Sequence, residues 1–156
     1  MRRIEVVFDD ITATAELFDR DAPRTIERFW QLLPILDRTI HVRWSGAAWR
    51  TEKNYPLEIG DVENSATWLQ PGDIAYYDDP RYGLYKIAVC YGRSQWRDDK
   101  GELYVTRLGR IVDNLEPFIE RCEQILYQGP KAVIIRPAGT ELPGSGAEAD
   151  KEVAGE

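Results

Sequence analysis

Apolar and polar residues alternate along much of this chain, the pattern of β-strands that bury one face. Residues 3–8 and 12–18 alternate on either side of Asp9 and Asp10, so they predict a β-hairpin at the start of the chain. Further alternating or apolar runs predict strands at residues 38–44, 47–51, 74–77, 84–91, 103–112 and 131–136. Residues 52–68 show no clear period and are interpreted as a long connection.

A helical period replaces the alternation between the second and third predicted strands. Asp21 is the predicted N-cap, Pro23 falls in the first turn, and Pro34 ends the helix because it disfavours helical geometry at the residue before it. We expect the helix to bury its apolar stripe, above all the first three of its residues. The stripe consists of Ile26, Phe29, Trp30 and Leu33.

A second helix is predicted near the end of the chain. Asp113 or Asn114 caps it, and Gly129 follows its last turn as a C′ residue. We expect the middle of its apolar stripe, Phe118, Ile119 and Cys122, to be buried. The whole stripe consists of Leu115, Phe118, Ile119, Cys122 and Leu126.

The order of these elements predicts the fold class. Many strands, one early helix and one late helix favour a mainly β protein, a closed barrel with two capping helices, over an alternating βαβ sheet. One chain of 156 residues is long enough for a single domain with a sizeable core.

Charge limits the partners. The formal net charge is −7, and a nucleic acid partner would favour a basic face instead. Residues 138–156 hold five acidic residues and one lysine, a net charge of −4, which leaves −3 for the rest. These residues have few large apolar side chains, so we expect a domain at 1–137 and a disordered acidic tail at 138–156.

The two cysteines favour a reduced, cytoplasmic protein. Cys90 lies in an apolar strand and Cys122 on an apolar helix stripe, where thiols act as small hydrophobic groups. Neither has a histidine or cysteine at metal-ligand spacing, so we expect no metal site and no cofactor. No long apolar run opens the chain, so the sequence predicts no signal peptide, membrane span or membrane partner.

Five short pieces of the chain, in this order and spacing, carry a resemblance to a known family. They are Glu16-Leu17-Phe18 with Ala22-Pro23-Arg24-Thr25, His41-Val42-Arg43-Trp44-Ser45-Gly46, Glu63-Asn64-Ser65-Ala66-Thr67, Pro71-Gly72-Asp73-Ile74 and Tyr91-Gly92. Through them, residues 3–137 resemble a bacterial family of unknown function within the cyclophilin-like superfamily. The resemblance implies a cyclophilin-like closed barrel, but it implies no established activity.

A ligand-binding groove is predicted around His41 and Arg43. The alternation places both on the strand face opposite Ile40 and Val42, which we expect to fill the core. In cyclophilins an arginine on the strand after the first helix donates hydrogen bonds in the peptide groove, and Arg43 resembles it, displaced by one residue. An exposed pair on a sheet face is the alternative. The predicted ligand-binding residues are His41, Arg43, Trp49, Tyr91 and Arg93.

Other candidate sites are weaker. Ser45 follows the His41 strand, but no nucleophile elbow surrounds it. The pairs Asp9-Asp10, Asp78-Asp79 and Asp98-Asp99 fall in predicted turns, where aspartate is favoured for backbone hydrogen bonding. Another mixed set can hold a planar anion or form a protein interface. It consists of Arg81, Tyr82, Tyr85, Arg93 and Trp96.

Two classes of function stay open. The first, which we prefer, is binding of a small molecule or short peptide in a groove on the barrel. The alternative is an enzyme: a peptidyl-prolyl cis-trans isomerase, or a component of an amide-hydrolysing enzyme, both by fold analogy alone. Whether the protein forms a homo-oligomer is left open by the sequence.

Overall fold

The computed structural model describes residues 1–42 and 45–140. Arg43 and Trp44 lie outside the described residues, as does the predicted acidic tail from residue 141 onward. The described residues form two helices, α1 (Pro23–Leu32) and α2 (Leu115–Gln128), and twelve strands. The strands are β1 (Arg3–Phe8), β2 (Ile11–Leu17), β3 (Ile35–Val42), β4 (Gly46–Thr51), β5 (Ser65–Ala66), β6 (Trp68–Leu69), β7 (Asp73–Asp79), β8 (Leu84–Gln95), β9 (Arg97–Asp98), β10 (Gly101–Glu102), β11 (Val105–Asp113) and β12 (Ala132–Pro137).

Eight antiparallel strands close into a barrel, as the sequence predicts. They follow the order β2-β1-β12-β3-β4-β8-β7-β11, and β11 pairs back with β2 to complete the ring. Gly109 lies at this closing seam opposite Leu17. A Cβ atom at Gly109 would lie 2.4 Å from the carbonyl oxygen of Glu16, so the two strands can meet this closely only at a glycine.

The two helices cap opposite ends of the barrel. β3 follows α1 and β12 follows α2, and these two strands are antiparallel neighbours, so they begin at opposite ends. Ile26 and Phe29 of α1 are buried in the barrel core, as predicted. Phe118 and Cys122 of α2 are buried in the same core, and the Phe118 ring meets Phe8 edge to face at 5.3 Å between centroids.

Some predicted helix contacts are wrong. Trp30 is only partly buried, because its ring lies at the edge of α1 under the guanidinium of Arg2, 5.4 Å from the ring centroid. Ile119 is also only partly buried, and Leu126 is 41% exposed. Ile125 is buried instead of Leu126. The face that α2 turns toward the barrel is therefore rotated slightly from the predicted apolar stripe.

The helix caps also differ from the prediction. α1 has no side-chain cap from Asp21; its N-cap is Ala22, and Glu63 from the long connection accepts from Thr25 N at 2.7 Å. Asn114 is the N-cap of α2 by position, but it stands in a left-handed conformation and makes no capping bond. Gly129 ends α2 as predicted, and its N–H donates to Ile125 O at 2.9 Å.

A second apolar cluster lies on the outer face of the barrel. β8 is longer than predicted, because it continues past Tyr91 to Gln95 and pairs there with β6. Trp96, which follows, is 1% exposed and packs over the outer face of β7 and β8. The buried members of this outer cluster are Val42, Ala48, Leu69, Ala75, Tyr77, Ala88, Cys90, Trp96 and Val105.

The outer cluster reverses the predicted direction of His41. Val42 is buried, as expected, but in the outer cluster; its partner across the sheet is Ala48. His41 pairs with Trp49, which belongs to the barrel core, so His41 turns toward the barrel interior. Alternation separates the two faces of a strand but cannot tell which of two buried faces is the inside of the barrel.

Within the described chain, neither helix is long and apolar enough to cross a membrane.

Candidate functional site

A cavity of 730 Å³ opens on the outside of the barrel, between the β7–β8 turn and the small hairpin of β9 and β10. One wall is aromatic and aliphatic, and the other carries charged groups. The lining residues are Tyr77, Tyr82, Leu84, Arg97, Asp98 and Asp99.

The β9–β10 hairpin forms one wall of the cavity because Trp96, the residue directly before β9, is packed against the outer face of the barrel. The Trp96 N–H donates to Thr67 O at 2.7 Å, and the Trp96 ring packs on Tyr77 with 5.5 Å between centroids. Asp98 then accepts from the backbone N–H of Lys100 at 2.8 Å, the local hydrogen bond that aspartate favours in turns. The hairpin is therefore fixed at both its base and its turn.

Arg81 joins the two walls of the cavity. Its Nε lies 3.0 Å from Oδ1 of Asp79, its terminal nitrogen lies 3.1 Å from Oδ2, and the same nitrogen donates to Asp98 at 2.5 Å. Asp79 is at the end of β7 and Asp98 is in the hairpin, so one guanidinium connects the turn to the hairpin. The Arg81 guanidinium also lies over the Tyr82 ring, 5.5 Å from its centroid.

The electrostatics of this network keep the Asp79 carboxylate charged and the phenols of Tyr77 and Tyr82 neutral. The hydrogen bonds from Arg81 outweigh burial and hold the pKa of Asp79 below its usual value. Burial, followed by the hydrogen bond to Asp79, raises the pKa of Tyr77. The hydrogen bond from its hydroxyl to Asp99 raises the pKa of Tyr82. Both phenols are therefore neutral donors at neutral pH.

The sequence reasoning found only part of this site. It predicted a mixed set of which only Tyr82 lines the cavity, while Arg81 and Trp96 contact residues that do. Binding of an anion by this set stays a prediction. The same reasoning assigned Asp79 and Asp98 to turn chemistry, and the structure adds ion pairs with Arg81 to that role. Asp79 is two residues from Arg81, but Asp98 lies 17 positions after it, so no local spacing signals the contact between Arg81 and Asp98.

The predicted groove around His41 is only partly described. The His41 ring contacts Tyr91, with 5.8 Å between centroids, and its Nε2 forms a short hydrogen bond with the Tyr91 hydroxyl. Trp49 is fully buried, and its indole N–H donates to Cys122 Sγ at 3.3 Å. Arg93 is exposed, and Arg43 lies outside the described residues. Ligand binding by this group stays a prediction, as do the two enzyme activities.

Ser45 does not form a nucleophile pair with His41. Its hydroxyl is buried and meets no hydrogen-bond partner in the described part of the chain. The Nε2 atom of His41 is engaged by Tyr91 instead. No three His, Cys, Asp or Glu side chains group around a metal position anywhere in residues 1–42 and 45–140.

Comparison with known proteins identifies the family. A family model described as "Protein of unknown function (DUF3830)" matches residues 4–136. McbB, solved in complex with tryptophan, is 22% identical with a TM-score of 0.68, over 89% of this chain and 46% of the McbB chain. The hypothetical protein AF2241 from Archaeoglobus fulgidus is 23% identical with a TM-score of 0.59, over 88% of this chain and 95% of that one. At these identities the likeness concerns the fold alone. No curated protein matches the chain.

Proposed function

The chain belongs to the DUF3830 family, whose function is unknown, and we propose that it binds a small organic molecule in the cavity beside Arg81. The cavity itself is the observation that carries the proposal. Its 730 Å³ is within the range of roughly 300–1,000 Å³ typical of small-molecule sites. Such sites combine an apolar wall with a few fixed polar groups, and this cavity has both.

The cavity is built before any ligand arrives, which favours binding. Arg81 connects its walls through ion pairs with Asp79 and Asp98, and Trp96 supports the Tyr77 ring from behind. A ligand that enters therefore meets side chains whose positions are already restricted. Binding to a preorganised site costs less conformational entropy than binding to a site that must be ordered.

Tryptophan is the first probe for this site. McbB was solved with tryptophan, and the two proteins share a fold at 22% identity. That likeness concerns the fold alone, and this chain spans 46% of McbB, so tryptophan serves here as a test compound. Tyr77, Tyr82 and Leu84 offer an aromatic and aliphatic wall on which a planar side chain can pack.

The test is an NMR titration of the isotope-labelled protein with tryptophan and with a panel of aromatic acids, amines and amides. Binding is measured from changes in the backbone amide chemical shifts. We expect shifts in residues 77–84 and 97–99. Tyr82→Ala removes a cavity wall and should weaken binding about ten-fold, the value of one aromatic contact. Tyr104→Ala is the matched control, because Tyr104 is similarly exposed and does not line this cavity. A panel without shifts there, or equal affinities of the two variants, would contradict the proposal.

A further inference from the structure

We infer that the ligand of this cavity is a zwitterion, a free amino acid with an aromatic or aliphatic side chain, whose carboxylate meets Arg97 and whose ammonium meets Asp99. The inference rests on the proposed function and adds the chemical class of the ligand. It comes from the unequal way in which the charged groups of the cavity are already satisfied.

Arg97 is the cation with unused hydrogen-bonding capacity. It is exposed at the start of the hairpin and lines the cavity. Its guanidinium forms no ion pair with any described residue, whereas that of Arg81 is shared between Asp79 and Asp98. A planar guanidinium binds a carboxylate through two parallel hydrogen bonds. Arg97, and not Arg81, therefore suits the carboxylate of a ligand.

Asp99 is the corresponding anion. Its Oδ1 accepts from the Tyr82 hydroxyl at 3.2 Å, and none of the described residues donates to its Oδ2. Asp98 differs, because Arg81 donates to its Oδ2 and the Lys100 N–H to its Oδ1. A ligand ammonium carries three donors and can reach Asp99 without displacing an existing bond.

The spacing of Arg97 and Asp99 suits one small ligand. Arg97 begins β9 and Asp99 lies in the hairpin turn two residues later, so their Cα atoms are at most about 7 Å apart. The long side chain of Arg97 can close that separation, so that its guanidinium and the Asp99 carboxylate reach the two charged groups of one α-amino acid. The ligand side chain then lies against Tyr77 and Leu84 on the opposite wall. Opposite charges on the ligand thus meet opposite charges on one hairpin.

The experiment compares three ligands that share a phenyl ring: L-phenylalanine, phenethylamine without the carboxylate, and 3-phenylpropanoate without the ammonium. We expect L-phenylalanine to bind about three- to ten-fold more tightly than either analogue, the range for exposed to partly shielded charged contacts. Equal affinities for phenylalanine and one of its analogues would overturn the inference. This comparison uses the unaltered protein and so does not depend on a variant folding.

Two variants then assign the charges. Arg97→Gln should lower the affinity for phenylalanine to that for phenethylamine and leave the affinity for phenethylamine unchanged. Asp99→Asn should lower the affinity for phenylalanine to that for 3-phenylpropanoate and leave the affinity for 3-phenylpropanoate unchanged. Arg110→Gln and Asp61→Asn, exposed and away from the cavity, are matched controls that should bind as the wild type does. If Arg97→Gln weakens the amine as much as the amino acid, the assigned contact is wrong.

Failure of the inference can be told apart from failure of the proposed function. If uncharged or singly charged aromatics bind as well as phenylalanine, and Tyr82→Ala weakens them, the cavity binds small molecules but does not select zwitterions. If no compound gives binding that Tyr82→Ala weakens, the proposed function fails, and the inference fails with it.

Discussion

Removal of the Glu63 carboxylate should destabilise the fold far more than its place in an irregular connection suggests. Its side chain is 12% exposed and accepts from Thr25 twice, from N and from Oγ1, each at 2.7 Å. The N–H and Nε of Arg24 lie farther away, both at 3.4 Å. Glu63 therefore acts as a distant N-cap that joins the connection to α1.

The magnitude follows from these bonds. A hydrogen bond to a charged group contributes about 1.5–3 kcal/mol, and loss of a helix cap costs about 0.5–2 kcal/mol. The two strong bonds share one oxygen, and Thr25 is buried, so its donors would lose their partner without gaining water. We expect Glu63→Ala to lower the free energy of unfolding by about 3 kcal/mol, or the Tm by roughly 10 °C. Glu63→Gln keeps an acceptor and should cost about 1–2 kcal/mol.

The pH dependence identifies the charge as the cause. Burial alone would raise the pKa of Glu63, but the hydrogen bonds from Thr25 and Arg24 outweigh it and hold the pKa below the ordinary 4.5. A carboxyl group whose pKa is lowered by folding stabilises the fold fully above its unfolded pKa and loses that effect as the pH falls through its folded pKa. The difference between wild type and Glu63→Gln should therefore be constant from pH 6 to 8 and shrink below about pH 4.5.

Urea denaturation at a series of pH values measures both effects. Asp61→Asn is the control, since Asp61 is exposed in the same connection and its side chain bonds to none of the described residues. It should stay within about 0.5 kcal/mol of wild type. A Glu63→Ala variant equally close to wild type, or a Glu63→Gln difference that persists unchanged at pH 3, would refute the assigned role.

Two further predictions concern the barrel itself. Gly109→Ala should cost at least about 2 kcal/mol in urea denaturation, because its Cβ would lie 2.4 Å from the Glu16 carbonyl oxygen; a loss under about 0.5 kcal/mol would mean that the seam is looser. Cys90 and Cys122 should resist a thiol reagent in the native protein at pH 8, and both should react after denaturation. The reason is that burial raises the pKa of the Cys90 thiol to about 12 and also raises the pKa of the Cys122 thiol. Rapid labelling of the native protein would contradict their burial.

Much of the secondary structure can be predicted from local pattern. The strands from residue 3 to residue 17 and the burial of Ile26 and Phe29 follow from periods of two and of three to four residues. Trp30 and Leu126 show the limit of this reasoning, because a stripe predicts which residues share a face and not how far the face is covered. Coverage depends on the angle at which each helix meets the barrel.

By itself, the sequence determined the eight barrel strands, the two helices and the glycine end of α2, because each depends on neighbours in the chain. Their order favoured a closed barrel, but the pairing of β11 with β2 that closes it joins distant parts of the chain, and the short strand β5 lies in residues that the sequence shows only as a connection. Only the tertiary structure decided that His41 turns inward, since the outer cluster exists only once Trp96, which follows β8, packs over the outer face of the sheet. It also decided the candidate site. Arg81 meets Asp98 across 17 positions, and Glu63 caps α1 across 38, and no local period records contacts at such separations.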